Sequence, residues 1–140
     1  MAEFRQYVTD VVHEATQTEG PGFDLTVAAV YEITDPGRID FGGGELEAAT
    51  TAVHETHTRN PGDDYEWWTL REGQYLIEYN ESLRGEDPVV VQTRDALLRR
   101  GAFHPTVRVT AFDSMPLRVS PGGLELKENA RVSTVRRAEP

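Results

Sequence analysis

The sequence predicts an all-β fold, a barrel or sandwich with two short helices. Two observations lead there. Short segments of alternating apolar and polar residues recur along most of the chain, and turn signals such as Asp35-Pro36-Gly37, Pro121-Gly122-Gly123 and Glu128-Asn129 stand between them. Many short strands separated by turns form sandwiches and barrels rather than bundles or parallel α/β sheets. The chain has 140 residues, no internal repeat and no low-complexity tract, so one domain spanning 1–140 with its own core is expected.

Each element follows from local pattern. Phe4, Tyr7, Val8, Val11, Val12 and Ala15 recur at helical spacing, which predicts an amphipathic helix over about 3–15, ended by Gly20-Pro21-Gly22. From Asp24 the period changes to two: Leu25, Val27, Ala29, Tyr31 and Ile33 alternate with Thr26, Ala28, Val30 and Glu32, a strand that stops at Asp35-Pro36-Gly37. Residues 42–64 are rich in Gly and Thr and read as a long loop with one extended stretch around Leu46 to Val53. Strands are expected again at Trp67–Leu70, Gln74–Asn80 and Pro88–Gln92. Thr93 is positioned to cap a short helix ending at Gly101. Strands at Thr106–Phe112, Leu117–Val119, Leu124–Lys127 and Arg131–Val135 complete the series. Trp67 and Trp68 point to opposite faces of their strand, so one is expected in the core and the other at an interface.

Charge narrows the function. Asp and Glu outnumber Lys and Arg by 24 to 14, the net charge is −10, and Lys127 is the single lysine. Self-repulsion of this size is a device of salt-adapted proteins, and scarce lysine argues against a hyperthermophile. A salt-loving source is inferred; an acidic mesophile with an arginine-favouring genome is the alternative. Nucleic acid is excluded as a partner, because no basic face outweighs such a field. No apolar run is long enough to span a bilayer, and a cytoplasmic protein without a membrane partner is expected. The absence of cysteine removes disulfides and thiolate metal sites.

Other constellations carry less. His54-Glu55-Thr56-His57 places its histidines at i and i+3 in an extended segment, on opposite faces, where they cannot share a zinc ion as a helical i, i+4 pair does. Gly42-Gly43-Gly44 lacks the Lys-Ser/Thr of a phosphate loop. His104 has neither a cysteine nor a serine elbow to complete a triad, and His13 reads as a surface residue.

Residues 65–101, from Tyr-Glu-Trp-Trp-Thr-Leu through Tyr-Leu-Ile-Glu-Tyr-Asn-Glu to Arg-Asp-Ala-Leu-Leu-Arg-Arg-Gly, set out strand, turn, strand, strand and short helix in one order. This order resembles the archaeal branch of the dUTPase/dCTP deaminase superfamily, whose members control deoxyuridine and deoxycytidine triphosphates. With the charge balance it implies a haloarchaeal source. The resemblance runs from about Asp24 to Val135 and implies a dUTPase-like distorted β-barrel, a homotrimer with sites between subunits, and a deoxyribonucleoside triphosphate ligand.

The resemblance also assigns residues. Gly22-Phe23-Asp24-Leu25-Thr26-Val27 is similar to the family's first motif, which gives Asp24 a part in organising the magnesium that chelates the triphosphate. By local rules alone Asp24 would be a turn cap. Arg94-Asp95-Ala96-Leu97-Leu98-Arg99 stands where the family has Arg-Ser-Ser-Leu-x-Arg, a phosphate-binding helix start. Arg94 and Arg99 are retained, whereas Asp95 sets an anion where a triphosphate should sit. The family's Asp-Pro-Gly-Tyr-x-Gly signature is missing from 105–116. There Asp113 stands as a displaced catalytic base, or Thr110 holds the old position, and Phe112 replaces the stacking tyrosine. Ala130-Arg131-Val132 is similar to the last hairpin and makes Arg131 a substrate contact, but the glutamine that should follow is absent.

Two functions therefore compete. One is a catalytically degenerate nucleotide-binding or protein-interaction homologue, a pseudoenzyme needing no cofactor. The other is an active enzyme. A magnesium-dependent dUTP diphosphatase would release dUMP and pyrophosphate; a dCTP deaminase would need a further glutamate in the altered region. Losses in several separate motifs favour the first.

Overall fold

The computed structural model describes residues 7–138. In chain order the elements are β1 (Val8–Thr9), α1 (Glu14–Gln17), β2 (Phe23–Asp35), β3 (Thr50–Val53), β4 (Trp67–Leu70), β5 (Gly73–Tyr79), β6 (Ser82–Leu83), β7 (Val89–Thr93), α2 (Asp95–Leu98), β8 (Ala102–Phe103), β9 (Val107–Val109), β10 (Met115–Val119), β11 (Leu124–Lys127) and β12 (Arg131–Arg137). Seven strands run β8-β10-β5-β2-β12-β7-β9, with β3 added to β2, and the pairs β11-β4 and β1-β6 pack beside them. The sheet curls around one core as an open, distorted barrel of the dUTPase-like kind, with two short helices. No helix among the described residues is long and apolar enough to cross a membrane.

β2 is the spine. Its first half pairs with β12 and its second half with β5, while β3 joins near its end. Phe23, Leu25 and Val27 point into the core and are fully buried. The register then shifts: Val27 faces Tyr79, but Ala29 faces Glu78. The extra residue is a bulge, which exchanges the two faces of a strand. The inward position passes to Val30, and Ile33, which the alternation groups with Leu25, is 45% exposed. Opposite this spine, Ile77, Leu117, Val119 and Val132 fill the interior.

The helix expected over 3–15 is corrected in its described part, and residues 3–6 lie outside the described residues. Val8 and Thr9 pair with Leu83 and Ser82 as a strand, Asp10 takes a left-handed φ of 61°, and the helix is confined to Glu14–Gln17. His13, expected at the surface, is exposed there and also caps that helix: its ring meets the Thr16 hydroxyl at 2.8 Å. Thr93 does not cap α2 either. Arg94 holds the cap position, and the Thr93 hydroxyl bonds the backbone of His104 instead. Gly101 closes that segment with φ 86°, and a Cβ there would lie 2.5 Å from the Ser120 hydroxyl. Of the tryptophans, Trp68 is in the core. Trp67 is half-buried under Arg59, whose guanidinium stands 5.0 Å from the ring centre, and near Lys127. The expected long loop over 42–64 contains β3, and its Glu47 forms an isolated pairing with Arg38 just before it.

Candidate functional site

The site forms where β2 meets β12. Gly22 allows it: a Cβ at that position would lie 2.5 Å from the Val135 carbonyl oxygen and 2.7 Å from Thr134 Cγ2. With glycine there, β2 enters the sheet with Asp24 directly opposite Thr134. Arg131 follows the Glu128-Asn129 turn on β12. Arg94 leaves β7 with its backbone NH donating to the Val132 carbonyl at 3.0 Å. Three strands thus deliver one carboxylate and two guanidiniums to one point.

Asp24 is the centre of that point and is buried. Its Oδ1 accepts from the Thr134 hydroxyl at 2.8 Å. Its Oδ2 faces Arg94 Nε at 3.4 Å and Arg131 Nη1 at 3.3 Å. Arg131 also donates to the Thr16 carbonyl at 2.9 Å, which ties α1 to the site, and pairs with the exposed Glu19. A cavity of about 380 Å³ opens here, lined by Arg94, Arg99, Arg100, Arg131 and Arg136 against Glu19, Asp24 and Asp95. Five arginines meet three carboxylates, so this wall is net positive in a chain of −10. Such local reversal of sign attracts an anion.

Five of the expected residues come together here: Asp24, Arg94, Asp95, Arg99 and Arg131. Asp95 does not reach Asp24's cluster; it forms an exposed pair with Arg99 at 3.0 Å along α2. Phe112 and Asp113 lie elsewhere, on a separate cavity of about 170 Å³ that shares no lining residue with the first. There Phe112 packs edge-on against Tyr79, ring centres 6.2 Å apart. His54 and His57 do not converge: His54 packs against Tyr75 and faces Glu32, while His57 pairs with Trp67 through its backbone.

Two buried polar clusters behind the site were not anticipated. Gln17 spends its whole amide: Oε1 accepts from the Val12 and His13 NH groups, and Nε2 donates to the Asp24 carbonyl and to Glu81. Glu81 also accepts from the Thr26 NH and hydroxyl. Burial pushes the Glu81 carboxyl above its ordinary range, and the Thr26 and Gln17 bonds oppose the shift. In the second cluster, His104 Nδ1 lies 2.7 Å from the Pro105 carbonyl, which can only accept, so Nδ1 carries the proton. Nε2 then accepts from the Ser133 hydroxyl at 2.7 Å, and Ser133 accepts from Tyr79 at 2.6 Å. Burial lowers the His104 pKa and raises that of Tyr79 well above an ordinary phenol. The Tyr-Asn-Glu run and the Ser-Thr pair inside an apolar strand were the available signals.

His104 makes stability depend on pH. Its folded pKa lies below the unfolded value of about 6.5, so its contribution is complete above that pH and is lost as pH falls through the folded value. Urea melts at about pH 7.5 and about pH 5.5 should show a loss of stability on acidification that His104→Gln reduces. An equal loss in both proteins would assign the acid limb to other groups.

No family model matches the chain. Curated relatives do. A probable deoxyuridine 5'-triphosphate nucleotidohydrolase of Archaeoglobus fulgidus is 32% identical over 97 residues, 68% of this chain and 53% of that protein. A protein of the same name from Halobacterium salinarum is 32% identical over 110 residues, 74% of this chain and 63% of that protein. This chain is related to the dUTPase-like superfamily. A third such protein, from Methanosarcina mazei, is 28% identical over 130 residues, 88% of this chain and 72% of that protein. The chain thus spans about half to three-quarters of the length of these dUTPase-like relatives.

Proposed function

We propose that the chain is a degenerate, nucleotide-binding member of the superfamily, which takes the phosphates of a deoxyribonucleoside triphosphate into the arginine-lined cavity without hydrolysing them. The observation that carries this reading is the commitment of Asp24. Its carboxylate accepts from Thr134 and faces two guanidiniums. That donor set does not fit a divalent cation, which the arginines would repel. Among the described residues no group of three His, Asp or Glu side chains comes together to hold a metal. Hydrolysis also needs a base in line with the reacting phosphate. Asp113, the base candidate, opens on the other cavity.

Binding itself remains within reach of the chain. Arg99 and Arg100 are exposed, and Arg136 completes the wall. Arg99 is drawn onto Asp95, so the retained arginine is partly spent within its own helix. The resemblance implies a homotrimer with sites between subunits, and length and composition a single-domain, cytoplasmic chain. An active dUTP diphosphatase is the second reading, favoured by the names of the archaeal relatives.

Calorimetric titration with dUTP tests the binding half. The native chain should bind weakly, and Asp95→Ser should bind about threefold tighter by freeing Arg99, a gain in keeping with an exposed pair worth ~0.2–1 kcal/mol. Unchanged or weaker binding by Asp95→Ser would remove Arg99 from the phosphate site.

A further inference from the structure

The five guanidiniums of the arginine-lined cavity are not equivalent. Arg94 and Arg131 face Asp24 at 3.4 and 3.3 Å, and Arg131 also meets Glu19 at 3.4 Å. Arg99 lies 3.0 Å from Asp95. These contacts engage all three carboxylates of the wall. Arg100 and Arg136 remain. The Arg100 side chain donates to the Ala96 carbonyl at 2.9 Å, and Arg136 is exposed. Neither has an ion-pair partner among the described residues. The uncompensated charge of the wall therefore sits on Arg100 and Arg136, and it is positive. An entering ligand meets guanidinium donors and no carboxylate left to receive a cation. The rest of the lining is Gly20, Pro21, Gln92, Ala96 and Thr134, so no aromatic ring among the described residues offers a base a stacking surface there.

We infer that this cavity selects the metal-free form of a polyphosphate chain, and that magnesium weakens binding instead of assisting it. Guanidiniums grip phosphate oxygens in bidentate pairs. Magnesium takes the same oxygens, keeps water on the rest of its octahedral shell and cancels part of the ligand's negative charge. Metal and wall thus compete for one set of acceptors, and the unpaired Arg100 and Arg136 favour the more highly charged anion. The chelate retains some negative charge and still enters, less tightly. Because the lining reads phosphate and nothing else of a nucleotide, inorganic tripolyphosphate is a sufficient ligand. The inference rests on the reading of the cavity as a phosphate site and adds its regulation: occupancy falls as free magnesium rises.

Equilibrium dialysis of the native chain against inorganic tripolyphosphate, and separately against dUTP, tests this. One series contains EDTA and the other magnesium in excess over the ligand, with potassium chloride adjusted to a single ionic strength, because screening alone alters such contacts. The expected result is binding of both ligands in EDTA and a Kd raised about tenfold by magnesium, equivalent to about 1.4 kcal/mol. Arg100→Gln and Arg136→Gln combined in one chain should weaken metal-free binding several-fold and shrink the magnesium effect. Both side chains are exposed, so this variant should keep the native circular dichroism spectrum. Equal or tighter binding with magnesium overturns the inference and leaves the phosphate-site reading standing. Binding of dUTP without binding of tripolyphosphate moves recognition to the nucleoside and overturns the inference too. A double variant with native affinity and the native magnesium effect does the same. No binding of either ligand in EDTA overturns the inference and the phosphate-site reading together.

Discussion

Asp24→Ala is expected to lower the melting temperature by about 10 °C. The carboxylate is buried and faces Arg94 and Arg131, themselves largely covered, with side-chain exposures of 28% and 21%. Removing one member of a buried ionic group leaves the others uncompensated, at a cost of about 3–5 kcal/mol. For a chain of this length each kcal/mol moves the midpoint by roughly 3–4 °C. Thermal denaturation followed by circular dichroism measures it. Asp24→Asn should fall between native and alanine, because an amide still meets Thr134 while the charge is gone. If alanine left the midpoint within about 2 °C of native, Asp24 would not be the keystone of the β2–β12 junction.

Gln17→Ala should cost nearly as much, about 3 kcal/mol. The side chain is 1% exposed and closes four hydrogen bonds to Val12, His13, Asp24 and Glu81. A buried polar group left without a partner costs ~1–3 kcal/mol, and here several lose theirs together. The effect reaches the site, because α1 supplies the Thr16 carbonyl that holds Arg131. Urea denaturation gives the loss, and calorimetry should show weaker binding of dUTP as Arg131 loosens. A variant with native stability would mean that water replaces the amide.

What the sequence discloses here depends on how local the cause is. β4 and β11 were legible because Trp67–Leu70 and Leu124–Lys127 each carry a strand pattern between turns. The first segment was not. Tyr7, Val8 and Val11 fit a helix by spacing, but Val8 is buried by pairing with Leu83, a partner 75 residues away. The bulge near Ala28 leaves no mark in composition, so the outward turn of Ile33 was hidden. At the site, Asp24, Arg94, Arg99 and Arg131 were found through the resemblance, and local rules made Asp24 only a turn cap. Gln17 and Glu81 were missed because their bond joins residues 64 apart, and only the pairing of β1 with β6 and of β2 with β5 brings them together. The isolation of Asp113 from the arginines was equally invisible, since strand order decides it.

The most direct test of the central claim is pyrophosphate release from dUTP by the native chain, with magnesium supplied and nucleotide binding measured in the same samples. The account predicts bound nucleotide and no release above the background of the protein-free solution. Release at an ordinary enzymatic rate of ~1 per second or more would contradict it and make the chain a working dUTP diphosphatase.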